Sequence, residues 1–322
     1  MLSTLSTQHS TPPTAVGVDF GGTSVKLGVA CGADLLEVDE PIPTADHNGP
    51  HALISEIARR VEKLRLRFPE ICAIGVGVPG LVDFDRGFVH VLTNVPGWNH
   101  VPLKKILGEM TGLPCVVEND ANAMTYAEWR YGAGVGLKNV IGITLGTGVG
   151  GGLILDGKMY RGSRFSAGEI GQMSVDFDGV SGHYGNLGAL EKYVGNAQIA
   201  EHAQRRYSQA GIHKEVEACT PKAIADAAHS GDDVARQIWG EIADWLGTAL
   251  ASIAWLLNPD AFVIGGGVAL AGPLLFEPLE NKVRSMLSPV VLESLKILPA
   301  RFSNEAGIIG NAALAADERA KA

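Results

Sequence analysis

The chain has 322 residues, of which 46% are hydrophobic and 19% charged, and its formal net charge is −9. This length suits about two domains, and the hydrophobic fraction is enough for substantial cores. The acidic balance excludes a typical nucleic-acid-binding protein, which needs a basic face, although backbone N–H groups can still hold phosphate. The four cysteines are widely spaced and form no CxxC pair, which is typical of reduced thiols in the cytosol.

Residues 1–14 are rich in Ser and Thr and contain no apolar run. They therefore do not form a secretory signal, and we predict a disordered tail. The uncharged stretches near 140–155 and 261–276 are broken by glycine and are too short to span a membrane. We expect a cytoplasmic protein with neither a membrane nor a nucleic-acid partner.

Strands and helices alternate along the chain, which is typical of an α/β protein. Short apolar runs predict strands at 15–19, 25–30, 71–78, 115–118, 140–145, 151–155 and 261–264. Helical spacing of apolar residues predicts helices at 51–68, 102–110, 120–131, 233–257 and 304–316. The helix at 233–257 ends a stretch, 190–257, that is rich in helix throughout.

A short internal repeat suggests two related half-domains. Residues 17–23 (GVDFGGT) align with residues 142–148 (GITLGTG), and each stretch is a strand that enters a Gly/Thr turn before a returning strand. Two matched turns, each rich in backbone donors, indicate a nucleotide held between two lobes.

Two stretches match the dinucleotide-binding pattern G-x-G-x-x-G, at Gly75/Gly77/Gly80 and at Gly146/Gly148/Gly151. That fingerprint needs a helix directly after the glycines, but strand-like residues follow both stretches. The pattern GxxxxGK[ST] is absent as well. A Rossmann dinucleotide site and a P-loop are therefore both excluded.

The first glycine turn combines a carboxylate, two glycines, a hydroxyl and a lysine: Asp19, Gly21, Gly22, Thr23 and Lys26. Glycines let the backbone approach phosphate oxygens, while the hydroxyl and the lysine can donate to them. Asp19 would repel phosphate unless Mg²⁺ lies between the two, so we expect it to anchor the metal's water ligands. A single glycine turn of this kind is more often an ordinary hairpin turn.

Two further glycine turns at strand ends favour the phosphate interpretation. The second turn contains Gly146, Thr147, Gly148 and Gly150, and the third contains Gly265, Gly266 and Gly267. Three such turns are more easily explained by binding of the triphosphate and adenosine of ATP than by chance.

Polar side chains suited to a sugar follow at three places. Asn119 and Asp120 stand at a strand-to-helix junction, where they are equally good as helix caps or as a hydroxyl ligand and a general base. Glu169, Gln172 and Glu191 add two carboxylates and an amide, groups that bind vicinal diols. Together these residues predict a sugar pocket.

As a set, the motifs resemble the ROK family of bacterial sugar kinases, whose fold is the two-lobed actin-like ATPase and hexokinase type, related to ribonuclease H, with an ATP- and sugar-binding cleft. The resemblance extends from about Val16 to Ala316. It rests on DFGGTSVK (19–26), GVGVPGLVD (75–83), NVPGW (94–98), ENDANA (118–123), TLGTGVGGG (144–152), AGEIGQ (167–172), GALEKYVG (188–195), GGG (265–267) and NEAGIIGNAAL (304–314).

The resemblance implies Asp120 as the base that activates a hexose hydroxyl for attack on the γ-phosphate of ATP, with glucose as the leading substrate. It implies ATP binding at the loops 21–26, 146–150 and 265–267. The implied sugar-binding set is Gly80, Asn94, Asn119, Asp120, Glu169, Gln172 and Glu191.

For the whole chain, the resemblance implies a small N-terminal α/β lobe over 15–121, joined by the terminal helix 304–317, and a larger α/β lobe over 122–303. It also implies a homodimer or a homotetramer. Family members that repress transcription carry an N-terminal helix-turn-helix, for which the roughly fifteen residues before the first strand are too few.

The sequence departs from the family at its usual zinc site, a His and three Cys. Those positions hold Gln172, Gly182, Tyr184 and Ala189, so we expect no structural zinc. The family's His also touches the sugar, and Gln172 alters that contact. Kinases of N-acetylmannosamine, allose or fructose are therefore alternatives to a glucose kinase. A catalytically idle sugar-binding regulator is a separate alternative.

Overall fold

The computed structural model describes residues 12–92, 95 and 97–321. The candidate Asn94 lies outside the described residues, as does most of the predicted tail over 1–14. The chain forms two compact units: the first takes in residues up to Asp120 together with those from Gly307 onward, and the second takes in Ala121–Ala306. None of the helices within the described ranges is both long and apolar enough to cross a membrane.

The first unit is built on a sheet with the strand order β3-β2-β1-β5-β9, in which β4 also pairs with β2, and it has a small second sheet, β6-β7-β8. Its strands are β1 (Thr14–Phe20), β2 (Ser24–Cys31), β3 (Asp34–Val38), β4 (Ile42–Pro43), β5 (Ile74–Val78), β6 (Val82–Asp83), β7 (Phe88–Val91), β8 (Asn99–Val101) and β9 (Cys115–Asn119). The central strand β1 is antiparallel to β2 and parallel to β5.

Two helices of this unit, α1 (Gly49–Arg65) and α2 (Leu103–Thr111), follow from apolar spacing in the sequence. In α1 the stripe Leu53, Ile57, Val61 and Leu64 is fully buried, as expected for a helix that covers one face of a sheet. Helix α2 ends at Gly112, whose left-handed backbone (φ 65°) is a common helix terminus.

The second unit has a sheet with the strand order β12-β11-β10-β13-β14. Its strands are β10 (Val140–Leu145), β11 (Val149–Leu155), β12 (Lys158–Tyr160), β13 (Ala261–Gly265) and β14 (Lys296–Pro299). Its helices are α3 (Asp120–Tyr131), α4 (Glu191–Val194), α5 (Asn196–Gln209), α6 (Pro221–His229), α7 (Asp233–Leu257), α8 (Pro273–Met286) and α9 (Pro289–Leu292). Helix α7 has the bounds that the sequence predicts, and its apolar residues form much of this unit's core.

The predicted internal repeat is confirmed by the strand pairing. In each unit the central strand pairs with an antiparallel hairpin partner on one side and a parallel strand on the other. Asp19 in β1 lies opposite Lys26 and Gly77, and Thr144 in β10 lies opposite Gly150 and Gly265. The two aligned positions thus occupy the same place in two sheets of the same topology.

The terminal helix α10 (Ala306–Lys321) returns to the first unit and crosses its sheet closely. A side chain at Gly17 would collide with the carbonyl of Ile308, and one at Gly75 with the carbonyl of Asn311, so only glycine permits this approach. Helix α10 starts two residues later than the predicted helix 304–316, because residues Ser303–Glu305 form a separate 3₁₀ turn. It also continues beyond residue 316, to Lys321.

Candidate active site

The first glycine turn closes the β1–β2 hairpin of the first unit. The N–H of Gly21 donates to Ser24 O at 2.9 Å, and Thr44 Oγ1 donates to Gly22 O at 3.0 Å. Thr23 is exposed at the tip of the turn. The turn is therefore held by hydrogen bonds to its own backbone oxygens.

Asp19, at the end of β1, is the half-buried carboxylate beside this turn. Burial raises the pKa of Asp19, and the positive charge of Lys26, its partner across the hairpin, offsets part of that rise. A side chain at Gly307 would lie 2.6 Å from Asp19 Cγ, which shows how closely the start of α10 encloses the carboxylate. Because a carboxylate in such surroundings gains from a nearby cation, this position fits the predicted magnesium anchor.

The structure brings Gly80, Asn119 and Asp120 together. Strand β9 ends at Asn119 and helix α3 begins at Asp120. Asn119 Nδ2 donates to Gly80 O at 3.3 Å and to Asp120 Oδ1 at 3.0 Å. Gly80 has φ 148°, which only glycine adopts readily. The half-buried Asp120 carboxylate is thus oriented by its neighbour at a helix N-terminus, where a negative charge is favoured.

The second and third glycine turns lie together in the second unit. In the second turn, the N–H of Gly146 donates to Gly148 O at 3.0 Å, and Thr147 is exposed. In the third, Gly266 has a left-handed backbone (φ 89°), and a side chain there would collide with the backbone of Leu145. The predicted third loop therefore packs against the strand that enters the second turn, while Gly265 ends β13 and Gly267 precedes the next 3₁₀ turn.

Glu169 precedes a single 3₁₀ turn, Ile170–Gln172, of which Gln172 is the last residue, and the N–H of Gln172 donates to Glu169 O at 3.0 Å. Glu169 retains exposed surface, yet burial of its carboxylate, with a further contribution from the charge of Glu191, raises its pKa. Gln172 Oε1 is buried and has no hydrogen-bond partner among the described residues. A buried acceptor of this kind suits a hydroxyl donor from a ligand.

Glu191, the first residue of α4, contacts more than the sequence suggests. Its Oε2 accepts the N–H of Val149 at 3.0 Å, directly after the second glycine turn. Its Oε1 lies 3.4 Å from His183 Nε2. The predicted sugar ligand is therefore also a link between the second glycine turn and the segment that contains His183.

The residues at the family's zinc positions do not fit a zinc ion. Gln172, Gly182, Tyr184 and Ala189 offer neither thiolate nor imidazole. A side chain at Gly182 would extend to within 2.5 Å of Asn186 Oδ1 and 2.9 Å of Ala189 Cβ, so protein atoms fill that space. Across the described ranges, no three His, Cys, Asp or Glu side chains are grouped so that they could hold a metal ion.

The sequence profile of the ROK family matches residues 15–318. The chain belongs to the ROK family. Among ROK relatives, the glucokinase of Streptomyces coelicolor is 35% identical over an alignment of 314 residues that covers 93% of this chain and 96% of that protein. The DNA-binding transcriptional repressor Mlc of Escherichia coli is 29% identical over 285 residues, 88% of this chain and 68% of the repressor.

A solved structure of a ROK glucokinase, from Streptomyces griseus in complex with glucose and AMPPNP, superimposes with a TM-score of 0.79. It is 34% identical in sequence and covers 94% of this chain and 99% of its own. The predicted ROK membership and the predicted actin-like ATPase fold class, which ROK sugar kinases share, are both confirmed by these matches.

Proposed function

We propose that this chain is an ATP-dependent kinase that phosphorylates glucose at O6, with Asp120 as the general base. The coarser part, a hexose kinase that uses ATP, follows from ROK membership and from the glucokinases that the chain resembles over more than nine-tenths of its length. The single observation that supports the choice of base is the hydrogen-bonded group of Gly80, Asn119 and Asp120 at the start of α3.

The proton transfer follows from that geometry. Asn119 Nδ2 holds Asp120 Oδ1, which restricts the rotation of the carboxylate. The hexose hydroxyl oxygen attacks the γ-phosphorus, its proton passes to Asp120, and the bond to the β–γ bridging oxygen breaks to release ADP. Kinase catalysis depends chiefly on such positioning and on stabilisation of phosphate charge, so a fixed base is the part that the side chains must supply.

The phosphate and sugar contacts are assigned as follows. Gly21, Gly22, Thr23 and Lys26 in the first turn, and Gly146, Thr147, Gly148, Gly150 and 265–267 in the other two, would bind ATP through backbone N–H groups, hydroxyls and the lysine. Asp19 would hold the water ligands of Mg²⁺, which, when bound, neutralises developing phosphate charge. Gly80, Asn94, Asn119, Glu169, Gln172 and Glu191 would bind the sugar.

Two alternatives have specific support. Gln172 replaces a histidine that contacts the sugar elsewhere in the family. The first alternative is therefore a kinase that phosphorylates N-acetylmannosamine, allose or fructose instead of glucose. The relationship to the repressor Mlc supports a second possibility, a sugar-binding regulator without turnover. The predicted homo-oligomer and the predicted cytoplasmic location stay predictions.

A substrate panel distinguishes these possibilities. ADP release would be followed at fixed Mg-ATP with glucose, mannose, fructose, allose and N-acetylmannosamine, and with Asp120→Asn protein as the background for each sugar. We expect glucose to give the highest kcat/KM. A higher value for another sugar would replace glucose in the proposal. Sugar binding by calorimetry without ADP release from any of them would establish the regulator instead, and a parallel series with polyphosphate would test the phosphoryl donor.

A further inference from the structure

The segment 173–190 leaves the 3₁₀ turn of Gln172 and returns to helix α4, and backbone hydrogen bonds close it. Leu190 donates its N–H to Met173 O at 2.9 Å, which joins the two ends of the segment. Val175 donates to Gly188 O at 2.9 Å, and Gly188 donates to Val180 O at 2.8 Å. The segment is thus a small ribbon that the protein's own backbone holds together.

Asn186 lies at the tip of this ribbon and connects it to the candidate sugar turn. Its backbone oxygen accepts the N–H of Gly182 at 2.7 Å, and its side-chain Nδ2 donates to the backbone oxygen of Gln172, also at 2.7 Å. A carbonyl oxygen only accepts, so the amide nitrogen must face it. Asn186 Oδ1 then points to the space beside Gly182, where a cysteine of the family's zinc site would extend.

The acceptor of this bond gives Asn186 its importance. Gln172 is the last residue of the 3₁₀ turn Ile170–Gln172, and Glu169 precedes that turn. Carbonyl groups at the end of a helical turn have no partner within the turn, so another group must satisfy them. The Asn186 amide donates a hydrogen bond to the carbonyl of Gln172. This bond holds the backbone of the turn that carries the side chains of Glu169 and Gln172.

Further non-metal contacts fix the ribbon itself. Tyr193 Oη accepts the N–H of Val180 and donates to Asp176 Oδ2, both at 3.3 Å. His183 Nε2 lies 3.4 Å from Glu191 Oε1. With these anchors, Asn186 projects from a fixed support rather than from a loose loop.

We propose that Asn186 is a positioning residue for sugar binding, which holds the Glu169–Gln172 turn by a hydrogen bond at the place where related chains use a zinc ion. The inference rests on the proposed function, because it matters for affinity only if Glu169 and Gln172 contact the sugar. It makes sugar binding by this chain independent of zinc.

The main test is Asn186→Ala, measured by steady-state kinetics with the sugar that the panel identifies. Loss of one neutral hydrogen bond, at about 1 kcal/mol, raises the KM for sugar roughly fivefold to tenfold. The KM for ATP and kcat should stay within about twofold. Asn186→Asp should raise the KM for sugar further, because it places a carboxylate oxygen against the oxygen of Gln172.

The matched control is Tyr184→Ala, which removes a large side chain from the same ribbon. Tyr184 is 82% exposed, so this change should leave both KM values unaltered. An equal rise in the KM for sugar in Asn186→Ala and Tyr184→Ala would overturn the proposal, since it would show a general sensitivity of the ribbon. An unchanged KM for sugar in Asn186→Ala would overturn it as well.

Two measurements keep this test separate from the proposed function. Amide hydrogen exchange should become faster at residues 170–173 and 182 in Asn186→Ala but not in Tyr184→Ala, whether or not any sugar is phosphorylated. Wild-type protein treated with a zinc-selective chelator in excess Mg²⁺ should keep its sugar affinity and yield no stoichiometric zinc. One tightly bound zinc per chain, whose removal abolishes sugar binding, would refute the replacement.

Discussion

The central hairpins of the two units have the same backbone plan and different chemistry. β1–β2 and β10–β11 each place one residue of the central strand opposite both a hairpin residue and a parallel strand. In the first unit that residue is Asp19, opposite Lys26. In the second it is Thr144, opposite Gly150. At this position the first hairpin therefore carries two charged side chains, and the second carries a hydroxyl group and a glycine.

In the proposed kinase, this difference would let one backbone plan serve a metal ion in the first unit and phosphate oxygens in the second. A magnesium ion with its water shell needs a carboxylate, and the first hairpin has one. Phosphate oxygens need donors at close range, and the second glycine turn offers backbone N–H groups with no acidic residue of its own, although Glu191 accepts the N–H of Val149 directly after it. The two units also anchor helices differently: α10 uses the neutral, buried Asn311, while α3 uses the fully buried carboxylate of Glu128.

The largest expected effect tests whether Asp120, a carboxylate of the first unit, accepts the proton of the sugar hydroxyl. Asp120→Asn removes the proposed base while preserving shape, so kcat should fall by at least about a hundredfold, the lower scale of general-base effects. ATP affinity, measured by calorimetry, should remain. Asp34→Asn, at an exposed carboxylate of β3, is the control and should leave kcat unchanged. Normal turnover in Asp120→Asn would remove Asp120 from its role.

The next effect compares the aligned positions directly. Asp19→Asn should lower kcat/KM for Mg-ATP roughly tenfold to a hundredfold, the usual effect of losing an outer-shell partner of a metal ion. Thr144→Val, at the matching position of the second hairpin, should lower it no more than about threefold, because the backbone donors of the turn remain. Titration of Mg²⁺ at fixed ATP provides the measurement. Similar losses in both variants would refute the division between a charged and a neutral hairpin.

Two glycines of the second turn allow an effect on packing to be distinguished from an effect on phosphate binding. A side chain at Gly150 would lie 2.6 Å from Thr144 Oγ1, whereas one at Gly146 would meet no atom within 4 Å. Gly150→Ala should therefore lower the free energy of unfolding by about 1–3 kcal/mol, the typical cost of overpacking. Gly146→Ala should leave the melting temperature unchanged but raise the KM for ATP several-fold. Unchanged ATP kinetics in Gly146→Ala would show that phosphate does not approach this glycine.

The smallest effect concerns stability in the absence of ligands. The pKa of Asp19 is raised above its ordinary value of 3.8, so the folded state disfavours the ionised carboxylate. This destabilisation is absent below pH 3.8 and grows as the pH rises towards the raised pKa, above which it is complete. Asp19→Asn should thus melt slightly higher than wild type at pH 7 and equally at pH 3.5. A lower melting temperature at pH 7 would contradict the burial argument.

Local sequence patterns predict much of each unit, and only part of the site. The glycine turns after β1 and β10 and the 25 residues of α7 are visible in the sequence because neighbouring residues determine them. The place of Asn119 and Asp120 at a strand–helix junction is equally local. The roles of Asn186 and Glu191 are different: no spacing pattern shows that Asn186 reaches Gln172, or that Glu191 reaches Val149.

Glu128 shows why such contacts escape the sequence. In the sequence it is an ordinary polar residue of a predicted helix. In the structure its Oε1 accepts the N–H groups of Arg301 and Phe302, both at 2.8 Å, and its Oε2 accepts that of Ala133 at 2.9 Å. The first two donors are 173 and 174 residues away along the chain. Nothing local signals a partner at that distance.

The sequence by itself determined the family, several of the main strands and helices and the repeated hairpin, because short-range periodicity, turn residues and ordered motifs specify these features. It also predicts the candidate base. Tertiary structure alone decided that Asp19 is half-buried beside α10, that Glu191 accepts the N–H of Val149 after the second glycine turn, and that Asn186 donates to the backbone oxygen of Gln172. Burial and hydrogen bonds between distant residues arise only when the folded chain brings them together.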